Sequence, residues 1–294
     1  MSDSTRPAVW RVRSRELQLD RPIVAGVLNL TPDSFSDGGV YIDPPRAIEH
    51  AFEMVEDGAA VIDVGAESTR PGAEEIGGDE EWRRLEPVLH GLRDLPVPVS
   101  IDTMKAAVAE RALDAGVEVI NDVSGGRSRG LVEIAARTRC GLVLMHMRGD
   151  PRTMQGDTRY GDVVGEVRDY LSDARDQAVA DGCDPDRVAL DPGLGFGKSV
   201  EGNLELVARL DEIAALGSAL WVGPSRKSFL GALLGLPVHD RVEGTIAVCV
   251  AALRNGARVF RVHDVAPVAR ALAVAWAIQS AGRNARERET VEAT

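Results

Sequence analysis

The sequence predicts an α/β protein, a single (β/α)8 barrel, on three observations. Short apolar runs rich in Val, Ile and Leu alternate with amphipathic helical patterns almost from end to end. Eight such pairs fill roughly 250 residues, the size of a TIM barrel. Polar residues cluster after every strand, and a barrel brings all of those ends to one rim, whereas an open doubly wound sheet would gather them at one switch point.

Val9 to Asp20 reads as two short extended pieces, a β-hairpin that closes the bottom of the barrel. The barrel spans about residues 21–280. Its strands are expected at Ile23–Leu28, Ala60–Val64, Val97–Ile101, Val117–Ile120, Gly141–Met145, Val188–Leu190, Leu220–Gly223 and Arg258–Val262, each apolar enough to be buried on both faces. The helices expected between them are Pro44–Glu56, Glu80–Leu92, Met104–Ala115, Gly130–Arg137, Val163–Ala180 and Asn203–Ala215. A long region from Lys227 to Asn255 comes next, interrupted at Gly235–His239, and then Ala266–Gln279. Met1 to Pro7 and the charged tail from Arg283 to Thr294 read as frayed or disordered.

The totals narrow the function. A net charge of −12 argues against a nucleic-acid partner, since a phosphate backbone demands a basic face. Cys140, Cys183 and Cys249 are far apart and form neither a metal spacing nor a disulfide framework, which suits a reducing, cytoplasmic setting. No apolar run is read as a membrane span and the N-terminus lacks a signal-peptide core.

The stretch Leu190-Asp191-Pro192-Gly193-Leu194-Gly195-Phe196-Gly197-Lys198-Ser199 lies between a strand and a helix. It is not a nucleotide P-loop: that motif needs a glycine where Pro192 stands, and proline removes a donor N–H. Asp191 at the strand end is then the residue to explain. Collected around the rim are Asn29, the Glu67-Ser68-Thr69-Arg70-Pro71-Gly72 loop, Asp102, Asn121, His146 and Met147, Asp191, the Ser225-Arg226-Lys227-Ser228 turn, and Arg261, His263 and Asp264. Asp63 and Asp122 read as structural. Asp102, Asn121, Asp191 and Lys227 combine acceptors, an amide and one cation, a set that matches the paired N–H donors of a 2-amino-4-oxopyrimidine edge. Asn29, Arg261 and His263 suit an anion such as a phosphate. Lys227 could instead be the Schiff-base lysine of an aldolase, but neighbouring carboxylates favour its ammonium form. Neither a zinc spacing nor a Gly-x-Ser-x-Gly elbow occurs.

These motifs resemble dihydropteroate synthases. The resemblance is carried by Leu28-Asn29-Leu30-Thr31-Pro32-Asp33-Ser34-Phe35-Ser36-Asp37-Gly38-Gly39, the Glu67–Gly72 loop, Ser100-Ile101-Asp102-Thr103, Ile120-Asn121-Asp122, Met145-His146-Met147, Asp191–Lys198, Ser225–Ser228 and Arg261-Val262-His263-Asp264-Val265, in order from about Ile23 to Gln279. It implies condensation of 6-hydroxymethyl-7,8-dihydropterin diphosphate with p-aminobenzoate in folate synthesis. By the same resemblance Asp102, Asn121, Asp191 and Lys227 hold the pterin, Met147 packs on its ring and Arg261 stacks on the other face. Asn29, Arg261 and His263 hold the diphosphate with Mg²⁺, Asn29 being the metal ligand. Thr69, Arg70, Pro71, Phe196, Lys198 and Ser225 form the p-aminobenzoate side. The loops Thr31–Asp43 and Ala66–Glu80 close over the substrates, and Asp102, Lys227, Arg261 and His263 carry the chemistry. A homodimer through Thr245–Leu253 and Ala266–Trp276 is expected from their small apolar residues, and the resemblance points the same way. A corrinoid-dependent pterin-binding methyltransferase would share the pterin carboxylates but have no use for the diphosphate grip. An inactive pterin-binding paralogue would have lost rim residues.

Overall fold

The structure, a computed structural model, describes residues 7–31, 43–68 and 75–292. Strands β1 (Val9–Arg11) and β2 (Glu16–Gln18) form the expected hairpin, with Trp10 opposite Leu17. Then come β3 (Ile23–Asn29), α1 (Pro44–Glu56), β4 (Ala59–Gly65), α2 (Gly78–Gly91), β5 (Val99–Asp102), α3 (Ala106–Asp114), β6 (Val119–Asp122), α4 (Arg129–Thr138), β7 (Gly141–Met145) and α5 (Val163–Ala180). The second half holds β8 (Val188–Asp191), α6 (Val200–Ala208), α7 (Leu210–Ala214), β9 (Ala219–Val222), α8 (Ser228–Leu234), α9 (Val242–Arg254), β10 (Val259–Val262) and α10 (Val265–Glu292). Strands β3 to β10 are all parallel, and β10 returns to pair with β3, closing the barrel.

Two helical expectations change. The sixth barrel helix starts at Val200, where Ser199 caps it by accepting from the Gly202 N–H, and it breaks at Arg209 into α6 and α7. Arg209 leaves helical geometry while its guanidinium reaches Glu205, Glu212 and Asp162, three carboxylates that periodicity alone does not bring together. The last helix runs on from Gln279 to Glu292, through Ala, Arg and Glu, which are strong helix formers. Val265–Gly282 is also long and apolar enough, by length and composition, to cross a membrane, a point at odds with the sequence expectation. Here Val265, Val268 and Leu272 are buried, and the helix is the eighth of the barrel.

Side chains alternate along a strand, so residues two apart share a face. At the bottom of the barrel Val61, Val119, Ala189 and Val259 pack with Trp10, Val12, Leu19 and Trp221 in one buried cluster. Trp10 meets Trp221 edge-on at 5.8 Å and donates from Nε1 to the Arg187 carbonyl at 3.0 Å. The hairpin is therefore the plug. Two residues further along those strands stand Asp63, Asn121, Asp191 and Arg261, which opens the polar layer above the apolar one.

Candidate active site

The polar layer is an ion-pair cluster. Arg261 donates from Nε to Asp63 at 2.5 Å and from Nη2 to Asp102 at 2.8 Å. Asn121 donates to the same Asp63 oxygen at 3.2 Å. Burial lowers the pKa of the guanidinium, but Asp63 and Asp102 outweigh that and raise it on balance, so Arg261 stays charged. Asp63 reads as structural from the sequence. It is instead fully buried at the centre of the site, and its second carboxylate oxygen has no hydrogen-bond partner among the described residues. The available signal was a carboxylate inside a strand buried on both sides, which must be paired.

Burial also moves the flanking acids. It pushes Asp102 up to about 7, helped by Asp63 and Glu81 and opposed by Arg261 and Lys227. It pushes Asp191 up to about 6, against the hydrogen bond that the Gly193 N–H donates to it and the pull of Lys227 and Arg261. These acids therefore change charge near neutral pH. Asp122, expected to be structural, accepts from the N–H groups of Ser124 and Gly126 and holds its own turn.

A second polar chain adjoins the first across the ends of β3, β9 and β10. The Asn29 amide donates to His263 Nε2 at 3.2 Å, so that nitrogen is unprotonated, and Nδ1–H donates to Ser225 Oγ at 2.9 Å. Ser225 also accepts from the His263 backbone N–H at 3.1 Å. Burial pushes His263 down to about 3, with Arg261 and Arg226 adding to the effect. His263, expected to face an anion, is thus a neutral imidazole in the free protein. Ser225, expected on the p-aminobenzoate side, is engaged in orienting that imidazole.

Lys198, also expected on the p-aminobenzoate side, is buried and turned inward. Its ammonium donates to the carbonyls of His146, Gly193 and Phe196 at 3.3, 2.9 and 2.9 Å, and it meets His146 Nδ1 at 3.0 Å. It pins the glycine turn after β8 from within, and burial pushes it down to about 7. At Gly193, φ is +67° and an added Cβ would collide with the His146 carbonyl oxygen, so only glycine lets the two loops meet. The turn presents Phe196 to the rim, where the Lys227 ammonium lies 4.0 Å above its ring. Lys227 precedes α8 and points across toward β8.

Met147 lines a cavity of about 290 Å³ together with Glu67, Ser68, Met104, Arg127 and Arg152. Thr69, Arg70 and Pro71, and most of the loop Thr31–Asp43, lie outside the described residues. The structure therefore brings Asn29, Asp102, Asn121, Asp191, Lys227, Arg261 and His263 to one rim, sets Met147 and Phe196 around it, and takes Lys198 out of direct reach.

Fold and rim together define a pterin-binding barrel enzyme, and the family model described as "Pterin binding enzyme" matches residues 25–263. Among curated relatives, dihydropteroate synthase of Synechocystis is 47% identical over 261 residues, covering 88% of this chain and 90% of the relative. That of Escherichia coli K12 is 42% identical over 271 residues, covering 92% and 96%. The Xanthomonas albilineans dihydropteroate synthase solved with 4-aminobenzoic acid superposes with a TM-score of 0.87 at 41% identity, covering 92% of this chain and 98% of that one. The Thermus thermophilus enzyme in complex with 6HMPPP gives 0.79 at 45%, covering 90% and 98%. The chain belongs to the dihydropteroate synthase family.

Proposed function

We propose that this protein joins 6-hydroxymethyl-7,8-dihydropterin diphosphate to p-aminobenzoate, releasing 7,8-dihydropteroate and pyrophosphate. The observation that carries this reading is the adjacency of the two polar groups. Acceptors at half-buried Asp102 and at buried Asn121 and Asp191 adjoin Asn29, Arg261 and His263, as a substrate with a hydrogen-bonding ring at one end and a diphosphate at the other requires.

Asp102 and Asp191 accept from the ring's N–H groups when ionised, Asn121 and Lys227 complete the edge, and Met147 packs on the ring. Arg261, held between Asp63 and Asp102, presents a fixed positive charge to the leaving group. His263 enters neutral, and an arriving anion raises its proton affinity. The aromatic amine is uncharged at neutral pH and attacks the methylene carbon as the carbon–oxygen bond to diphosphate breaks; its proton then leaves to water. Phe196 and the Thr69-Arg70-Pro71 segment form the amine's side.

For Mg²⁺, the donor set is limited: among the described residues no three His, Cys, Asp or Glu side chains converge. Asn29 fits a role as a single protein ligand, since its amide N–H is committed to His263 and its carbonyl oxygen remains for a hard cation that keeps waters and substrate phosphates. When bound there, the ion supplies charge neutralisation on the leaving diphosphate.

The reading includes a homodimer through α9 and α10, supported by Val274 and Ile278, 62% and 69% exposed on one chain. It includes a cytoplasmic setting, supported by three free buried cysteines. Sulfonamide sensitivity belongs to the same reading, supported by the Yersinia pestis relative solved with a sulfonamide. p-Aminobenzoate binds after the diphosphate in this scheme, so calorimetry should give it higher affinity with pyrophosphate and Mg²⁺ present. The test of the reaction is direct. Pyrophosphate should be released only when both substrates are present, stop on adding EDTA, and match dihydropteroate mole for mole by mass-detected chromatography. Pyrophosphate release without the amine would identify a hydrolase instead.

A further inference from the structure

The turn between β9 and α8 contains a residue the reaction does not call for. Arg226 has φ +54°, left-handed backbone that strains a side-chain-bearing residue and that glycine adopts freely. Such strain persists where the surroundings over-determine it, and here the backbone and side chain of Arg226 are both engaged. Its N–H donates to Thr245 Oγ1 at 3.1 Å, and its carbonyl accepts from Arg241 at 3.2 Å. Its guanidinium donates twice to Asp264, at 2.9 and 2.5 Å. Asp264 directly follows His263 at the end of β10, while Lys227 directly follows Arg226. The fork is a second rung beside the Ser225–His263 hydrogen bond, and the two rungs tie the seventh and eighth barrel strand ends together. Asp264 pairs with Arg226, which leaves Arg261 to Asp63 and Asp102.

We propose that Arg226 and Asp264 form a latch that fixes Lys227 relative to His263, making both positioning residues for the pterin diphosphate. A turn needing only its backbone shape is served better by glycine, so the arginine contributes through its fork. The two side chains act through one contact.

This inference rests on the function proposed above, and the experiment separates the two. Pterin diphosphate binding is measured by calorimetry, with thermal unfolding alongside, for the wild type, Arg226→Gln, Asp264→Asn, the double variant and Arg226→Gly. Each single polar variant should weaken binding about tenfold, and the double variant by about the same tenfold, because coupled residues are not additive. Arg226→Gly should unfold near the wild-type temperature, its strain relieved, and still bind about tenfold more weakly. Wild-type affinity in all variants overturns the latch, as does a double variant whose loss is the product of the singles, or loss of affinity that only tracks loss of stability. A wild type that binds no pterin diphosphate overturns the functional reading itself, and with it the latch's ligand.

Discussion

At the bottom of the barrel Trp10 and Trp221 meet edge-on among valines and alanines; two residues further along the same strands Asp63, Asn121, Asp191 and Arg261 take their places. The strands, their register and their closure are shared, so the two layers differ only in which residues point inward. The lower layer removes apolar surface from water and asks nothing else of its neighbours. The upper layer puts two carboxylates, one of them fully buried, against one half-buried guanidinium, an arrangement with little net stability to recommend it and strong directional recognition to offer. One end of the barrel holds it together, and the other carries the charges to which the proposed function assigns the ligand.

Arg261→Met attacks both roles at once and should have the largest effect. It strands Asp63 and Asp102 as buried acids without their cation, which costs about 3–5 kcal/mol of stability, and it removes the charge facing the diphosphate, so turnover should be lost. Urea unfolding and product formation measure the two. Retained turnover would separate the cluster from the chemistry.

Trp10→Ala comes next. Deleting a fully buried indole at the bottom should cost about 3–5 kcal/mol. Pterin diphosphate affinity of the folded fraction should stay within about twofold, since the site lies a layer above and distant sites act independently. A large loss of affinity would show that the plug and the rim are coupled.

Asp191→Asn should move the two properties in opposite directions. Asparagine can still accept from the Gly193 N–H but carries no charge to bury. Burial raises Asp191 to about 6, so the folded state holds a proton that the unfolded chain has released between about pH 4 and 6. Stability therefore falls as pH rises through that window, and the uncharged variant should be more stable at pH 7, on the order of 1 kcal/mol or more. Its affinity for the pterin should drop. A variant less stable than the wild type at pH 7 would mean that the rim charge contributes to holding the fold.

The smallest effect is the pH dependence of pterin binding in the wild type. Asp191 and Asp102 can accept paired N–H donors on both carboxylate oxygens only when ionised, so affinity should weaken as pH falls through about 7 to 6. A flat profile from pH 8 to 5 would contradict the assigned acceptors.

Much of this is legible in the sequence because it is local. Apolar runs of strand length between amphipathic helices point to the barrel, and the residue types at the strand ends point to the rim. The rest depends on where side chains turn. Lys198 reads as a cation available to substrate; only the fold shows three carbonyls and His146 surrounding it. Asp63 reads as structural because its partner Arg261 lies 198 positions away and only the closed barrel brings the two together. His263 reads as part of an anion site, and its neutrality comes from burial beside Arg261 and Arg226, residues that the closed barrel brings next to it. The break at Arg209 likewise involves Asp162, 47 positions away in the chain.

Whether the upper layer is the pterin site is tested most directly by a crystal structure of the protein with pterin diphosphate. The ring edge should lie against Asp102, Asn121 and Asp191, with Lys227 at the same edge and the diphosphate beside Asn29, Arg261 and His263. A ring seated instead in the cavity between Glu67, Met104 and Arg127, with Asp191 untouched, would contradict it.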